Sequence, residues 1–247
     1  MHPTSRHLEA QHLLDSGLTL AACARLTGIS RSTLRTWRDR DFIPRAHECP
    51  RCDGVPSCDS DYAALLGFYL GDGCLSSARR CFNLRITCDE AYPGILEDVP
   101  RLVCRVHPAA ATHLVPAPGC VVVQKGWTHW PCLFPQHGPG PKHSRPIVLE
   151  DWQRSIVEAH PASFLRGLFH SDGSRVRNRV RRMVAGEMKY YVYPRWQFTN
   201  FSADIRELCC WALDLVDVAW RQSNWKTISV SRREAVARLD ELIGPKA

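Results

Sequence analysis

Apolar and polar positions divide the chain into a short helical region and a longer region in which helices alternate with strands. Residues 1–45 carry apolar side chains at helical spacing in three segments, which are separated by Ser16-Gly17 and Thr27-Gly28. From residue 60 the spacing changes repeatedly between that of a helix and the period of two that is typical of half-buried strands, as in 81–88. The pattern therefore predicts a small all-α region followed by an α+β region.

The α+β region shows two copies of one order of elements. The pattern of residues 161–247 predicts the order αββαββα. Residues 60–160 can be aligned with this order if 107–141 is an insertion, and they include a predicted strand at Trp130 to Phe134. In this alignment residues 84–88 match 196–200. The predicted regions are a helix-turn-helix at 1–45, a linker at 46–59, and repeats at 60–160 and 161–247.

Each copy contains an apolar run with a glycine at its third place and Asp-Gly at its end. The runs are LLGFYLGDG at 65–73 and LRGLFHSDG at 165–173, so Asp72 and Asp172 lie 100 residues apart. A carboxylate at the end of an apolar helix is costly unless it is paired, and two such carboxylates side by side need a cation. This predicts a divalent metal site on an internal two-fold, whereas the alternative is a helix seam that ends in Asp-Gly turns.

These two runs resemble the double signature of the LAGLIDADG homing endonucleases, and the resemblance covers roughly residues 60 to 247. The chain departs from the signature at Leu70 and His170, in place of its first acid, and at Arg166, in place of a small residue. The resemblance implies a pseudo-two-fold monomer whose two sheets form a saddle over double-stranded DNA.

The resemblance also implies a catalytic centre. Asp72 and Asp172, with the backbone of Gly71 and Ser171, would hold Mg²⁺ for phosphodiester cleavage. A basic residue near each aspartate is expected as well. The candidate residues are Lys226 in the second repeat, its counterpart Arg145 by alignment of Ile147 with Ile228, and nearby Lys142.

The third N-terminal helix has an outward face suited to DNA. Leu34 and Trp37 are predicted to point inward. The outward residues include donors for phosphates and guanine edges, namely Arg31, Ser32, Thr33, Arg35 and Arg38. A three-helix bundle with a solvated basic face is the alternative.

Two further stretches carry candidate chemistry. Cys49 and Cys52, with Cys58 and His47 nearby, could hold Zn²⁺, although a linker that happens to contain cysteines explains them too. Alternating arginines at Arg175, Arg177, Arg179 and Arg181 share one strand face. With Tyr191, Tyr193, Arg195 and Gln197 on the next strand, and Asn83 and Arg85 in the first repeat, they predict a DNA-binding sheet surface rather than a merely solvated face.

Composition and charge fit an anionic partner. The formal charge is +7, the pI is near 8.9, and 45% hydrophobic residues suffice for a core. The sequence shows no signal-peptide pattern and no apolar run of about 18 residues, which predicts a cytoplasmic, nucleoid-associated protein without membrane contact. The twelve cysteines form no disulfide framework pattern, so reduced thiols are expected.

The sequence thus favours a site-specific DNA endonuclease. Its alternative is a non-cleaving DNA-binding regulator on the same scaffold, because the resemblance includes sporulation regulators that pair such a domain with a helix-turn-helix. A zinc-dependent nucleic-acid-modifying enzyme has only the cysteine pair for support. An intein origin is disfavoured, because the chain lacks an N-terminal nucleophile and a C-terminal His-Asn.

Overall fold

The computed structural model describes residues 4–39, 49–52, 58–108 and 111–246. The chain divides into two compact units, Met1–Val55 and Pro56–Ala247. Each unit has its own hydrophobic core, and each is described by itself.

The small unit contains the three helices that the spacing predicts. They are α1 at Thr4–Asp15, α2 at Leu20–Thr27 and α3 at Arg31–Asp39. The Thr19 hydroxyl accepts a bond from the backbone N–H of Ala22 at 3.2 Å, and Ser30 caps α3 in the same way through Thr33. Gly28 ends α2 with a φ of 69°, a left-handed conformation that favours glycine. The core of this unit consists of Ala10, Cys23, Ile29 and Leu34.

The larger unit repeats one order of elements. The first copy comprises α4 (Asp59–Leu70), β1 (Gly73–Ser77), β2 (Phe82–Asp89), α5 (Pro93–Val106), β3 (His113–Ala117), β4 (Cys120–Trp127), α6 (Trp130–Leu133) and α7 (Asp151–Ala159). The second comprises α8 (Pro161–Ser171), β5 (Gly173–Val184), β6 (Glu187–Thr199), α9 (Ala203–Leu215), β7 (Arg221–Asn224), β8 (Thr227–Val230) and α10 (Arg233–Ile243). The predicted α+β class is confirmed.

The two antiparallel sheets have the same topology, with strand orders β1-β2-β4-β3 and β5-β6-β8-β7. Their registers also match, because the N–H of Thr87 donates to the Asp72 carbonyl just as the N–H of Thr199 donates to the Asp172 carbonyl. This confirms the alignment of 84–88 with 196–200.

Two predictions for the first repeat are wrong. The stretch predicted as a strand at Trp130 to Phe134 is the helix α6, because Trp130, Leu133 and Phe134 follow helical spacing and Pro131 suits a first helical turn. The presumed insertion at 107–141 contains β3 and β4, which occupy the places of β7 and β8. The alignment of Ile147 with Ile228 therefore fails.

Helices α4 and α8 cross where Gly67 meets Gly167. A Cβ at Gly67 would approach the backbone nitrogen of Leu168 to 2.8 Å, and one at Gly167 would approach that of Phe68 to 2.8 Å. Only glycine permits this backbone contact, and the close crossing brings the two helix ends together. Of the helices in the described ranges, none combines the length and the apolar character needed to cross a membrane.

Candidate metal centre and nucleic-acid interface

The glycine crossing places both signature aspartates at one end of the helix pair. Asp172 is the C-cap of α8, and Asp72 follows Gly71, the C-cap of α4. A Cβ built on Gly71 would lie only 3.3 Å from Asp172 Oδ2, so the second carboxylate reaches the end of the first helix. The negative end of each helix dipole points to this junction, which makes a local cation favourable.

Both carboxyl groups have raised pKa values. Surrounding protein atoms raise the pKa of Asp72 to about 6, the charge of Asp172 adds to the shift, and Lys246 and Lys142 oppose it. The Asp72 side chain is nevertheless open to solvent, and it lines a cavity together with Lys246. Burial also raises the pKa of Asp172, against the bond from Asn200 and the charges of the same two lysines.

Lys142 binds the end of the first signature helix. Its Nζ donates to the carbonyl oxygens of Tyr69, Leu70 and Gly71 at 2.5, 2.8 and 2.8 Å, which uses all three ammonium protons. Burial lowers the pKa of Lys142 to about 8, while the charges of Asp172 and Asp72 oppose that shift.

Lys246 takes the corresponding position at the second signature helix. Its Nζ donates to the carbonyl oxygens of Ser171 and Gly173 at 2.9 and 2.7 Å. The sequence indicated Lys226 instead, but the Nζ of Lys226 lies over the rings of Phe201 and Trp225, at 4.9 and 5.7 Å. No spacing rule points to Lys246, because the segment after α10 brings it to the site only in the folded chain.

Arg145 acts on a loop rather than on an aspartate. Its guanidinium donates to the carbonyl oxygens of Gln136, Pro139 and Gly140, and so it ties down the loop that carries Lys142. The buried pair Gln136 and Gln153 fixes the base of the same loop, with 2.5 Å between the donor nitrogen and the acceptor oxygen. Lys142 is therefore held on a braced segment.

The two aspartates differ in their next neighbour. Asn200 Nδ2 donates to Asp172 Oδ2 at 2.6 Å, and Asn200 Oδ1 accepts from the N–H of Ser202. The position of Asn200 corresponds to Cys88 in the first repeat, where burial and then the charge of Asp72 raise the thiol pKa to about 12. The aligned strands could have identified Asn200, because it follows Thr199 at the end of β6.

The oxygen atoms at this junction suit a hard divalent cation. Two carboxylates and the carbonyl oxygens of Gly71 and Ser171 form an all-oxygen donor set, which Mg²⁺ prefers. In the structure both carbonyls already accept lysine N–H bonds. The residue types thus fit the predicted metal, and the lysines compete for the same oxygens.

Each sheet has one face on the helices and one open face. Leu84 and Ile86 in β2 are buried, as are Trp196 and Phe198 in β6, whose rings contact Phe169 of α8. Because side chains alternate along a strand, the neighbouring residues lie on the open face. These residues are Asn83, Arg85, Arg195 and Gln197, all of them predicted for DNA binding.

The arginine row and the tyrosine row lie on opposite faces of the β5–β6 hairpin. Arg175 pairs with Trp196 and Arg177 with Pro194, so the row with Arg179 and Arg181 shares the face of Trp196. Tyr191 and Tyr193 share the face of Arg195 and Gln197. The expectation of one continuous surface is therefore wrong, because the antiparallel register pairs odd-numbered positions with even-numbered ones.

Arg175 itself has a structural partner. Its guanidinium binds the Asp240 carboxylate of α10 at 2.7 and 2.8 Å, and Trp196 Nε1 donates to the same carboxylate at 2.7 Å. Beyond Arg175 the hairpin extends as an arm, with 12 residues in β5 against 5 in β1. Both faces of that arm are exposed, as Tyr190 at 63% and Tyr191 at 45% show.

In the small unit, α3 presents the predicted outward face. Leu34 is fully buried and Trp37 packs on the core, whereas the polar side chains of Arg31, Ser32, Arg35 and Arg38 are exposed and that of Thr33 is half-buried. Ser32 and Thr33 share hydrogen bonds with Ser30, and Arg38 pairs with Asp39 at 2.9 Å. Arg31 and Arg35 are the exposed cations of the first two turns.

The cysteine pair of the small unit is close together. The Sγ atoms of Cys49 and Cys52 lie within 4.8 Å of one another, and burial raises the pKa of the Cys49 thiol. Cys58 is exposed with its Sγ 3.7 Å from Ser60 Oγ, and His47 lies outside the described residues. In the larger unit, Cys132 Sγ lies 3.7 Å from His129 Nδ1, a second pair with the same x-x spacing.

Comparisons with known proteins agree with this architecture. No family model matches the sequence, and no curated protein matches it. Among solved structures, the homing endonuclease I-WcaI bound to its DNA recognition sequence has 12% identity and a TM-score of 0.50, over 78% of this chain and 85% of that chain.

Two further solved structures resemble the chain. One is I-DmoI in complex with DNA and Mn, at 11% identity and a TM-score of 0.48, over 76% of this chain and 99% of that chain. The other is the N-terminal LAGLIDADG domain of DUF199/WhiA, at 16% identity and a TM-score of 0.46, over 84% and 92%. The chain therefore has the pseudo-two-fold fold of the LAGLIDADG homing endonucleases, and at these identities the likeness covers the fold alone.

Proposed function

We propose that the chain binds double-stranded DNA in a sequence-specific manner and cleaves it with the help of a divalent cation. One observation carries this proposal: two carboxylates meet at the junction of two sheets whose open faces present arginine, asparagine and glutamine. Charged and amide donors on an open sheet face suit phosphates and base edges, and a carboxylate pair suits a metal-assisted attack on a phosphate.

The proposed roles follow from position. Asp72 and Asp172, with the carbonyls of Gly71 and Ser171, would hold Mg²⁺, which supplies Lewis acidity toward the scissile phosphate and lowers the pKa of water. Asn200 orients the carboxylate of Asp172. Asn83, Arg85, Arg195 and Gln197 would contact the duplex on either side of the aspartates.

Cleavage of a plasmid library in Mg²⁺ tests the catalytic part. We expect the wild type to linearise some members, whereas Asp72→Asn and Asp172→Asn leave them nicked or intact and Asp151→Asn, an exposed control on α7, cuts normally. An absence of metal-dependent breaks from protein that binds the same DNA tightly would rule out the nuclease.

A non-cleaving DNA-binding regulator is the second candidate. The lysine bonds to the Gly71 and Ser171 carbonyls favour it, because the oxygens that a catalytic cation needs are already satisfied. In that case the wild type and both aspartate variants would bind the same target and none would cut it.

The N-terminal unit is proposed to add DNA contacts through α3. Its exposed Arg31 and Arg35 would enter a major groove or contact its phosphates. Replacing both with alanine should weaken binding to a fixed target while leaving the melting temperature unchanged. Equal affinity of the variant and the wild type would remove α3 from the interface.

A structural Zn²⁺ at Cys49 and Cys52 is a separate proposal. Two thiolates supply half of a tetrahedral site, so the ion needs two further ligands. Elemental analysis of the purified chain should find about one zinc per molecule, and Cys52→Ser should lose it. A zinc-free wild type would reject the proposal.

The internal repeat supports a monomer, since one chain already supplies both aspartates. Light scattering of the free protein is expected to give the mass of one chain.

A further inference from the structure

The two lysines at the aspartate junction make unequal numbers of hydrogen bonds. Lys142 makes three bonds and lies on a loop that Arg145 and the glutamine pair brace. Lys246 makes two bonds and lies in the short segment that follows α10 and begins at Gly244. An ammonium with fewer hydrogen bonds is the one that a competitor displaces more easily.

Lys246 lines the same cavity as Asp72. Its charge, like that of Lys142, opposes the pKa rise of both Asp72 and Asp172, so it compensates the pair of carboxylates. Its Nζ lies 5.0 Å from the ring centre of Tyr92, and beside it a cavity of about 360 Å³ is lined by Asp72, Asp89, His170 and Ser171. The ammonium can therefore withdraw toward Tyr92 and Asp89 without losing all its partners.

We propose that Lys246 is a displaceable internal cation: in the metal-free protein its ammonium compensates the two aspartates, and a divalent cation binds by displacing it. This inference rests on the proposed role of the aspartate pair. Lys142, in contrast, is a permanent cap of α4. The chain would then bind DNA without a divalent cation, and a divalent cation would bind only in competition with the Lys246 ammonium.

Direct metal binding tests the inference without a cleavage readout. The full-length chain, freed of metal with EDTA, is titrated with Mn²⁺, and free Mn²⁺ is followed by its electron paramagnetic resonance signal. Lys246→Met should bind Mn²⁺ on the order of tenfold more tightly than the wild type, within the range typical of coupled sites. Lys226→Met, whose ammonium lies on aromatic rings, should bind like the wild type.

Lys142, which binds the end of the other signature helix, serves as the comparison. Lys142→Met should lower the melting temperature, because three helix-end carbonyls lose their donor, and it should tighten Mn²⁺ binding less than Lys246→Met does. Lys246→Gln retains donors without the charge and covers the case in which Lys246→Met does not fold. The double variant Asp172→Asn, Lys246→Met should not show the tighter Mn²⁺ binding of Lys246→Met alone.

The outcomes separate this inference from the proposed function. Unchanged Mn²⁺ affinity in both Lys246 variants, or an equal gain in Lys226→Met, overturns the displacement. Binding of a mixed-sequence duplex is measured in parallel by fluorescence anisotropy, with Mg²⁺ and in EDTA. Absence of binding under both conditions contradicts the proposed function, whatever the Mn²⁺ result, whereas binding that requires Mg²⁺ contradicts the inference.

Discussion

The two repeats of the larger unit share a topology but not the surroundings of their aspartates. Asp172 has an amide donor in Asn200, and its helix end accepts from Lys246 at the end of the described chain. Asp72 is exposed, and its helix end is held by a lysine on a braced loop. Duplicated elements thus preserve the backbone geometry of the centre, while the side chains around it differ. The crossing of α4 and α8 is therefore symmetric, whereas the side chains around the two carboxylates are not.

Among the features that the two repeats share, the crossing of α4 and α8 should be the most sensitive to substitution. Gly67→Ala and Gly167→Ala would each force a methyl group into the opposite backbone, so each should cost about 3 kcal/mol or more in the free energy of unfolding. Equal losses in denaturant titrations would confirm that both repeats depend on the same crossing. Gly119→Ala, at a φ of 74° with open space around it, is the control and should cost only about 1 kcal/mol.

The hairpin arm distinguishes the second repeat from the first, and its two faces can be tested against each other. Replacing Tyr191, Tyr193 and Arg195 with alanine should weaken DNA binding by about tenfold or more, since these residues share the open face. Replacing Arg177, Arg179 and Arg181 with serine should make DNA binding less sensitive to salt. The slope of log binding constant against log salt concentration should fall by about one for each phosphate that an arginine no longer neutralises.

Affinity measured over a salt series separates the two arm variants. If the arginine variant changes both the DNA affinity and its salt dependence more than the tyrosine variant does, DNA lies on the helix-side face of the arm. Arg175 is left out of both sets, because its loss would break the ion pair with Asp240.

The Asn200–Cys88 difference should appear as unequal stability. Asn200→Ala removes a bond to a carboxylate and a bond from Ser202, so it should cost about 2 kcal/mol, whereas Cys88→Ala should cost about 1 kcal/mol. Thermal melts of both variants give the comparison. Equal losses would mean that the amide does not distinguish Asp172 from Asp72.

The smallest effect concerns pH. The pKa of Asp72 is raised to about 6 in the fold, so its protonated form stabilises the folded chain at low pH, and this contribution is lost as pH rises from about 4 to 6. Asp72→Asn should therefore raise the melting temperature by a few degrees at pH 7 and by less at pH 4.5. A difference between variant and wild type that does not vary with pH would contradict a raised pKa.

Sequence spacing was sufficient for most elements, because caps and breaks are local. Thr19, Gly28 and Ser30 delimit α2 and α3 as predicted, and the strand alignment of 84–88 on 196–200 holds to the residue. The spacing failed where apolar runs are short. Trp130 to Phe134 forms a helix where a strand was predicted, and the alignment that selected Arg145 failed because it assigned β3 and β4 to an insertion.

The sequence alone determined the internal repeat, the two aspartates and the glycines between their helices, because each depends on a local pattern that occurs twice. Only the tertiary structure decided which cations reach the aspartates and which face of the hairpin each arginine takes. Lys142 and Lys246 arrive from segments more than 70 residues away from the carbonyls they bind, and strand register depends on the partner strand. Contacts between distant segments depend on the path of the whole chain, and local spacing does not encode that path.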